Sequence, residues 1–256
     1  MRKLKLIGIG AGDPDYITLQ AVNALKQVGV IFLTDKGTET ADLVRARTEV
    51  CRRHMRSKPY RIVDIPDPER DRSSGAYRPA VAAWHEKRAD LYERMFREQL
   101  RDDECGAFLV WGDPSLYDST LRIIDQVTAR GTVDFECEII PGITSIQALA
   151  ARHRISLNQI GEPVYVTTGR RLADHELTAN ANVVVLLDGQ CAFKSVAPED
   201  VDIYWGAYLG TPDEILLSGK LSELSDQIER VRAKARQKKG WIMDTYLLRK
   251  RGPAPC

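Results

Sequence analysis

The amino-acid sequence predicts an α/β protein made of two domains, the first of which is built on a parallel β-sheet. In the first part of the chain, short apolar runs alternate with stretches of helical periodicity. These runs are apolar throughout instead of alternating with polar residues, which is typical of strands covered on both faces, as in parallel sheets. After about Arg154, strand-like segments follow one another with one long helical pattern near the end. We therefore expect two domains, at 1–153 and 154–256.

Each element of the first domain has a local signal. The predicted strands are the apolar runs Leu4–Ile9, Val30–Thr34, Arg61–Ile65, Ala107–Trp111 and Cys137–Ile140. Thr18 is a residue type that caps helices, and we expect a helix from there to about Val28. A longer helix is expected after Pro79. Its apolar side chains fall on one face and indicate a core contact; they are Val81, Trp84, Leu91 and Met95.

The second domain is expected to hold a larger share of strand. The strand-like segments are Pro163–Thr168, Asn182–Leu187, Asp202–Leu209, Glu214–Ser218 and Trp241–Leu248. One long helix is predicted between the last two strands. Its apolar residues step by three and four positions, at Leu221, Leu224, Ile228, Val231 and Ala235.

Composition excludes several classes of function. Lys and Arg total 37 against 36 Asp and Glu, so the chain as a whole is not a basic nucleic-acid binder. No stretch approaches the roughly 18 apolar residues of a membrane helix. The five cysteines are scattered without a CxxC pair, and the four histidines show no ligand spacing. We therefore expect no metal site, no disulfide framework and a soluble cytoplasmic protein.

The segment from Gly37 to Arg78 is polar and basic, and we interpret it as a long loop inserted at about 37–78. Two functions remain open for it. It is either a solvated surface insertion or a lid over an anionic substrate, since arginines and a lysine crowd there. These cations are Arg45, Arg47, Arg52, Arg53, Arg56, Lys58, Arg61, Arg70, Arg72 and Arg78.

A glycine-rich loop, Gly8–Pro14, follows the first predicted strand. Glycines allow a tight turn and a close approach of the backbone to a ligand. The GxGxxG fingerprint of dinucleotide sites fails here, because Asp13 occupies the position of its last glycine and would oppose a pyrophosphate. A nicotinamide or flavin dinucleotide site is therefore not expected.

Two further loops follow predicted strands, at Trp111–Tyr117 and Ile140–Ser145. Ligands of open α/β sheets bind outside the carboxyl ends of the strands, so these loops and Gly8–Pro14 can converge there. Each loop alone is weak evidence of a site, because Gly-Asp-Pro is also an ordinary turn. The three together, in this order and at strand ends, indicate a ligand site.

Here the sequence resembles the tetrapyrrole methylase family, over essentially the whole chain. Gly8–Thr18 resembles the opening loop of the family, Trp111–Tyr117 its Gly-Gly-Asp-Pro loop, and Pro141–Ser145 its Pro-Gly-Ile-Thr-Ser turn; 211–221 is similar to the start of its last hairpin. Ala11 and Trp111 depart from the pattern, as does Leu187-Asp188-Gly189, where many members have Tyr-Met-Gly. These departures and the insertion after Lys36 are most similar to a branch of aerobic cobalamin synthesis whose reaction combines methylation of a precorrin with release of acetate.

The resemblance implies two α/β domains, with a parallel sheet in the first and a mixed sheet in the second. It also implies S-adenosylmethionine bound in the cleft between them, S-adenosylhomocysteine as product, a tetrapyrrole substrate and a homodimer. The cofactor-binding residues that it implies are Ala11, Trp111, Gly112, Asp113, Leu116, Thr144, Ser145, Leu187, Tyr208, Leu209 and Gly210. Asp113 would accept from a ribose hydroxyl or the ammonium group of the cofactor.

Two catalytic residues are implied by position. Asp13 matches a general base of the family and Lys36 a proton donor. Asp13 could instead be a turn residue beside Pro14, and Lys36 a solvated surface lysine. For the whole chain, two alternatives remain open: a corrin methyltransferase acting at another carbon, and a tetrapyrrole or nucleotide carrier without catalysis.

Overall fold

The structure is a computed structural model, and it describes residues 1–35, 41–55, 59–68, 77–173, 182–197 and 199–251. The chain divides into two units, Met1–Thr144 and Ser145–Cys256. The sequence placed this division at residue 153, after a helix that the structure assigns to the second unit. Among the described residues, no helix combines the length and the apolarity that crossing a membrane requires.

A five-stranded sheet forms the centre of the first unit, and every strand pair in it is parallel, as predicted. Its strands, in the spatial order β3-β2-β4-β1-β5, are β1 Arg2–Gly8, β2 Val30–Asp35, β3 Arg61–Pro66, β4 Cys105–Val110 and β5 Phe135–Ile140. The helices of this unit are α1 Leu19–Leu25, α2 Ala41–His54, α3 Tyr77–Gln99 and α4 Thr120–Arg130.

Both faces of this sheet are covered, which explains its unbroken apolar runs. On one face Phe32 and Phe108 pack against Tyr92 and Phe96 of α3. A second cluster, which includes residues of α1 and α2, covers the other face. At the start of α1 the Thr18 hydroxyl accepts a hydrogen bond of 3.1 Å from the Ala21 N–H, which confirms the predicted cap.

The prediction of a long loop over 37–78 is wrong within the described part of that segment. Residues 41–54 form α2, and its buried Val50 and Cys51, with Met55 just after it, pack against the sheet. The apolar stripe of α2 is narrow, and the many charged residues around it obscure the helical periodicity in the sequence. Residues 36–40, 56–58 and 69–76 lie outside the described ranges, and with them Lys36, Arg56, Lys58, Arg70 and Arg72.

The sheet of the second unit is mixed, as the family resemblance implied. Its strands, in the spatial order β6-β7-β10-β8-β9, are β6 Val164–Thr168, β7 Asn182–Leu186, β8 Val201–Ala207, β9 Ile215–Lys220 and β10 Asp244–Lys250. Only the pair β6–β7 is parallel in the described part of this sheet. The helices are α5 Ser145–His153, α6 Gly169–Ala173 and α7 Leu221–Lys239.

A buried polar network fixes the core of this second unit. Asp244 accepts hydrogen bonds from Arg232 at 2.9 Å and from the Trp205 indole at 3.0 Å. Asp188 accepts from the Tyr246 hydroxyl at 2.7 Å, and its carbonyl accepts from Arg232. Burial raises the pKa of Asp244, an effect that the Arg232 guanidinium opposes. The network joins α7 and β10 to the loop that follows β7.

Candidate functional site

Three loops at the carboxyl ends of β1, β4 and β5 pack against one another through glycines. A Cβ atom on Gly8 would lie 2.6 Å from the Gly142 nitrogen, and one on Gly142 would lie 2.1 Å from the Gly112 carbonyl oxygen. Real Cβ contacts are not that short, so a larger residue at Gly8 or Gly142 would push the loops apart. The three loops that the sequence singled out are thus brought together, and glycine is the residue that lets them meet.

Backbone hydrogen bonds join the first loop to the second. The Gly112 N–H donates to the Gly10 carbonyl at 2.8 Å, and the Gly10 N–H donates back at 3.4 Å, which makes an isolated antiparallel bridge. Gly10 has φ of 83° and Gly112 φ of 72°, in the left-handed region that favours glycine. Ala11, which follows the bridge, is buried. Ala11, which stands where the family usually has a proline, therefore occupies a buried position.

Asp113 ties the second loop to the third. Its Oδ2 accepts from the Gly142 N–H at 2.8 Å, while its Oδ1 accepts from the N–H and the hydroxyl of Ser115. Burial works to raise the pKa of Asp113, but the hydrogen bonds from Ser115 and Gly142 hold it below its ordinary value. The sequence had assigned the carboxylate to the cofactor and missed Ser115 and Gly142 as its partners. In the structure both of its oxygens bind protein donors.

Space remains beside Gly112. The nearest atom to a Cβ placed there would be the Thr144 Cα, at 3.7 Å, an ordinary van der Waals distance. Trp111 and Leu116 are half-buried, and Thr144 is buried. Among the described residues, a Cβ at Gly112 would therefore meet the backbone of Thr144 and no side chain within 4 Å.

One carboxylate oxygen of Asp13 holds a turn, and the other has no hydrogen-bond partner among the described residues. Its Oδ1 accepts from the Asp15 N–H at 2.9 Å and caps a short 3-10 helix at Pro14–Tyr16. Among the described residues, no hydrogen-bond donor is within reach of its Oδ2. The turn that the sequence offered as an alternative is therefore present, yet it uses one oxygen only. The second oxygen can accept a proton or position a ligand.

In the second unit, Leu187 has an unusual conformation. It follows β7 with φ of 53° and is 65% exposed, although it is a large apolar residue. A leucine in the left-handed region costs roughly 1–2 kcal/mol, and such strain is most often found at functional positions. The next residue, Asp188, belongs to the buried network. This agrees with a role for Leu187 against a ligand.

The other expected residues of the second unit lie in the turn after β8. Tyr208 has φ of 50°, and its buried ring packs edge-on against Trp241, whose carbonyl accepts from the Tyr208 hydroxyl at 2.6 Å. Leu209 is buried, and the Gly210 N–H donates to Glu214 at 2.8 Å. At the start of α5, the Ser145 hydroxyl accepts from Thr245 at 3.0 Å. The Tyr208 hydroxyl is thus committed to the protein.

The remaining predictions from the sequence concern metal ligands, Lys36 and the basic segment. Within the described ranges, no three His, Cys, Asp or Glu side chains are grouped so that they could hold a metal ion. Lys36, the implied proton donor, lies outside the described residues. Several cations of the basic segment make ordinary surface pairs: Arg52 and Arg53 bind Glu49, and Arg61 binds Glu104.

Comparison with known proteins gives the same family from sequence and from fold. Residues 3–225 match the model of the tetrapyrrole (corrin/porphyrin) methylases. The chain is 49% identical, over 98% of its length and 96% of the relative, to precorrin-6A synthase (deacetylating) of Sinorhizobium sp.. A crystal structure of the cobalamin-synthesis-related protein CobF from Corynebacterium diphtheriae aligns with a TM-score of 0.84 and 40% identity, over 98% and 99% of the two chains.

A more distant structure supports the fold alone. Uroporphyrin-III C-methyltransferase from Thermus thermophilus, solved in complex with S-adenosylhomocysteine, aligns with a TM-score of 0.58 at 17% identity and covers 96% of each chain. With the family model spanning most of the chain and the glycine loops packed as described, this protein belongs to the tetrapyrrole (corrin/porphyrin) methylases.

Proposed function

We propose that this protein is a precorrin-6A synthase (deacetylating). It would methylate C-1 of precorrin-5 with S-adenosylmethionine and release acetate, giving precorrin-6A in cobalamin biosynthesis. The observation that carries this proposal is the 49% identity to the Sinorhizobium enzyme over nearly the full length of both chains. The glycine-packed loops and the exposed, left-handed Leu187 support it, because they lie at the positions where the family resemblance expects the cofactor.

The residues of the first unit fit such a cofactor. When bound, S-adenosylmethionine supplies a methyl group already activated by the positive charge on sulfur. The backbone at Gly112 admits a close approach of the cofactor. Trp111 and Leu116, which are half-buried, are proposed to offer aromatic and apolar surface to it. Thr144 and Ser145 are proposed to add hydrogen bonds, and Leu187, Tyr208, Leu209 and Gly210 to contact the adenosine. Asp113 would then act through the loops that it holds.

Asp13 is proposed as the group that accepts a proton or orients the substrate. Its Oδ2 is uncommitted among the described residues, while Oδ1 keeps the turn in place. Lys36 is proposed as a proton donor on the basis of the family resemblance. Loss of the acetyl group requires water to add to the acetyl carbonyl, so that the oxygen of that water leaves in acetate, and a base would assist this step.

The direct test follows a labelled methyl group and acetate in the same reaction. The protein is incubated with precorrin-5 and methyl-labelled S-adenosylmethionine, and the tetrapyrrole and the acetate are quantified. Asp13→Asn should lower turnover by roughly a hundredfold, the scale of a lost acid–base group. It should leave S-adenosylhomocysteine binding unchanged, because the amide oxygen still caps the turn. Asp15→Asn, which changes the neighbouring exposed carboxylate, is the matched control.

The outcomes separate the alternatives. Methylation without acetate release would favour a corrin methyltransferase that acts at another carbon. Ligand binding without any turnover would favour a carrier. Normal turnover by Asp13→Asn would reduce Asp13 to a turn residue. We expect S-adenosylhomocysteine to bind with a Kd of about 1 μM or lower, near −8 kcal/mol; calorimetry without saturation at millimolar ligand would refute the cofactor assignment. NAD and FAD serve as negative controls.

We also propose a cytoplasmic homodimer. Cys51 and Cys191 are buried thiols outside any disulfide, which fits a reducing compartment. The homodimer rests on the family resemblance. Sedimentation analysis at micromolar concentration tests it, and a mass of about 29 kDa, that of one chain, would refute it.

A further inference from the structure

Arg47 reaches from α2 to a point where two strands of the first sheet separate. Strand β2 pairs with β4 only as far as Phe32 and Phe108. Beyond this point β2 continues beside β3 to Asp35, and β4 continues beside β1 to Val110. The sheet is therefore split at its carboxyl edge, between β2 and β4.

The split leaves one carbonyl of β4 without a strand partner. Successive carbonyls of a strand point to opposite sides, and that of Val110 accepts from the Ile9 N–H on the β1 side. The Leu109 carbonyl consequently faces the side from which β2 has departed. The Nε–H of Arg47 donates to it at 2.9 Å. This bond fixes the guanidinium in the split and uses the Nε–H, and the two Nη groups make no hydrogen bond to a described residue.

The charge of Arg47 is not paired within the part of the chain that the structure describes. Other arginines removed from water have compensation: Arg88 pairs with Asp67 at 2.9 Å, and Arg232 pairs with Asp244 at 2.9 Å. Arg249 donates to three oxygen acceptors. For Arg47, the bond to Leu109 is its one hydrogen bond to a described residue, and no described carboxylate forms an ion pair with it.

Burial has an electrostatic consequence for Arg47. It lowers the pKa of Arg47, and the more distant Asp118 and Tyr92 oppose this effect only in part. An arginine is nevertheless charged at neutral pH, since its guanidinium is the most basic side-chain group in proteins. A cation held in place, half-buried and unpaired is stabilised by an anion that can reach its Nη groups.

The location identifies the chemistry of that anion. Leu109 lies two residues before Trp111, so the guanidinium is close along the strand to the loop that carries Gly112 and Asp113. We propose that the Nη groups of Arg47 bind a carboxylate of the tetrapyrrole substrate. A guanidinium matches a carboxylate with two parallel hydrogen bonds, and precorrins carry several carboxylate side chains. This inference rests on the proposed function and gives it a residue that recognises substrate.

Steady-state kinetics with precorrin-5 tests the proposal. Arg47→Gln should raise KM for precorrin-5 by about tenfold or more, the scale of a lost charge-assisted hydrogen bond. The Kd for S-adenosylhomocysteine should not change. Arg53→Gln is the matched control, because it removes the same charge from the same helix at a residue paired with Glu49 and Asp15. Its KM should equal that of the wild type.

Sodium acetate distinguishes the two sources of a carboxylate. If Arg47 holds the released acetate instead of a substrate side chain, acetate inhibits the wild-type enzyme but not Arg47→Gln, and KM stays unchanged. A raised KM supports the substrate carboxylate, whether or not acetate also competes for Arg47. An unchanged KM together with unchanged acetate inhibition overturns the proposal.

Two further measurements distinguish substrate binding by Arg47 from a purely structural role of this residue. If KM, the Kd for S-adenosylhomocysteine and the urea midpoint of unfolding all change together in Arg47→Gln and in Arg47→Lys, the residue merely closes the split in the sheet, and the proposal fails. Acetate binding can also be followed without turnover, by the NMR signal of the Arg47 Nε–H, which the bond to Leu109 protects from exchange. A shift of this signal with acetate but not with chloride supports the site even if precorrin-5 is not the substrate.

Discussion

Replacing Asp113 by asparagine tests whether this carboxylate holds the loops or binds the ligand directly. The carboxylate accepts from Gly142 on one oxygen and from Ser115 on the other. Asparagine has one oxygen only. If that oxygen stays with Ser115, which offers two donors, the amide NH2 group meets the Gly142 N–H, donor against donor. The third loop then loses its attachment to the second.

The expected magnitude follows from these contacts. One charge-assisted hydrogen bond is lost and one partly buried N–H is left unsatisfied, so Asp113→Asn should lower the free energy of unfolding by about 2 kcal/mol. Binding of S-adenosylhomocysteine should weaken by about tenfold, since Gly112 and Thr144 would no longer be held at fixed separation. Ser115→Ala removes one hydroxyl donor and keeps the Gly142 bond. It should cost about 1 kcal/mol and leave binding nearly unchanged.

The pH dependence provides a second check with a definite sign. The folded-state pKa of Asp113 is lower than the ordinary value, so its contribution to stability is complete above the unfolded-state pKa of about 3.9. It is lost as the pH falls through the lower pKa of the folded state. The difference in unfolding free energy between wild type and Asp113→Asn should therefore be constant near neutral pH and shrink below about pH 4.

Urea denaturation and calorimetric titration of the same preparations are the assays. The reasoning is refuted if Asp113→Asn unfolds at the same urea concentration as the wild type and binds S-adenosylhomocysteine equally well. A variant of wild-type stability with binding lost would show that the carboxylate contacts the ligand, as the sequence had suggested.

Three other substitutions have expected outcomes. Gly112→Val should still fold, although a valine at the φ of 72° costs about 1–2 kcal/mol. It should lose S-adenosylhomocysteine binding in calorimetry, because the new methyl groups would occupy the volume beside Thr144. Leu187→Gly should change the urea midpoint little, since relief of left-handed strain offsets the entropy of glycine, while ligand affinity falls; retained affinity would remove Leu187 from the site. Asp244→Asn should destabilise by about 3–5 kcal/mol in thermal or urea unfolding, because it leaves the Arg232 charge buried and unpaired; a loss below 1 kcal/mol would contradict this account.

The fold was predictable where a single sequence pattern, such as an unbroken apolar run, was stronger than any competing pattern. Strand β4 is buried along its whole length, so its sequence is an uninterrupted apolar run and indicates a parallel sheet. Helix α2 was missed because its buried Val50 and Cys51 are set among arginines and glutamate. The polar, charged composition of the segment indicated a loop, and the helical periodicity of its few apolar residues was too weak to contradict this. The start of the second unit was placed after α5, since nothing in the sequence of that helix indicates which sheet it packs against.

The candidate site was predictable in its location but not in the role of each group. Strand ends and glycines identified the three loops, and these loops do meet. The attachment of Asp113 to Gly142 joins residues 29 positions apart, and that of Asp188 to Tyr246 joins residues 58 apart. Such pairs depend on tertiary geometry, which a single sequence does not contain. The left-handed conformation of Leu187 is likewise imposed by its neighbours, because leucine has no preference for it.

The polar groups at the carboxyl edge of the first sheet fall into two classes with different expected effects. Gly10, Gly112 and Asp113 bind other protein groups, and they set the geometry of the loops before any ligand arrives. The Oδ2 of Asp13 and the Nη groups of Arg47 bind none within the described residues. Preorganised groups lower the cost of binding, while uncommitted charges are available to the substrate. Changes in the first class should therefore alter stability and cofactor affinity together. Changes in the second should alter turnover or KM while stability is retained, so measuring both quantities on one variant assigns any further residue of this edge to its class.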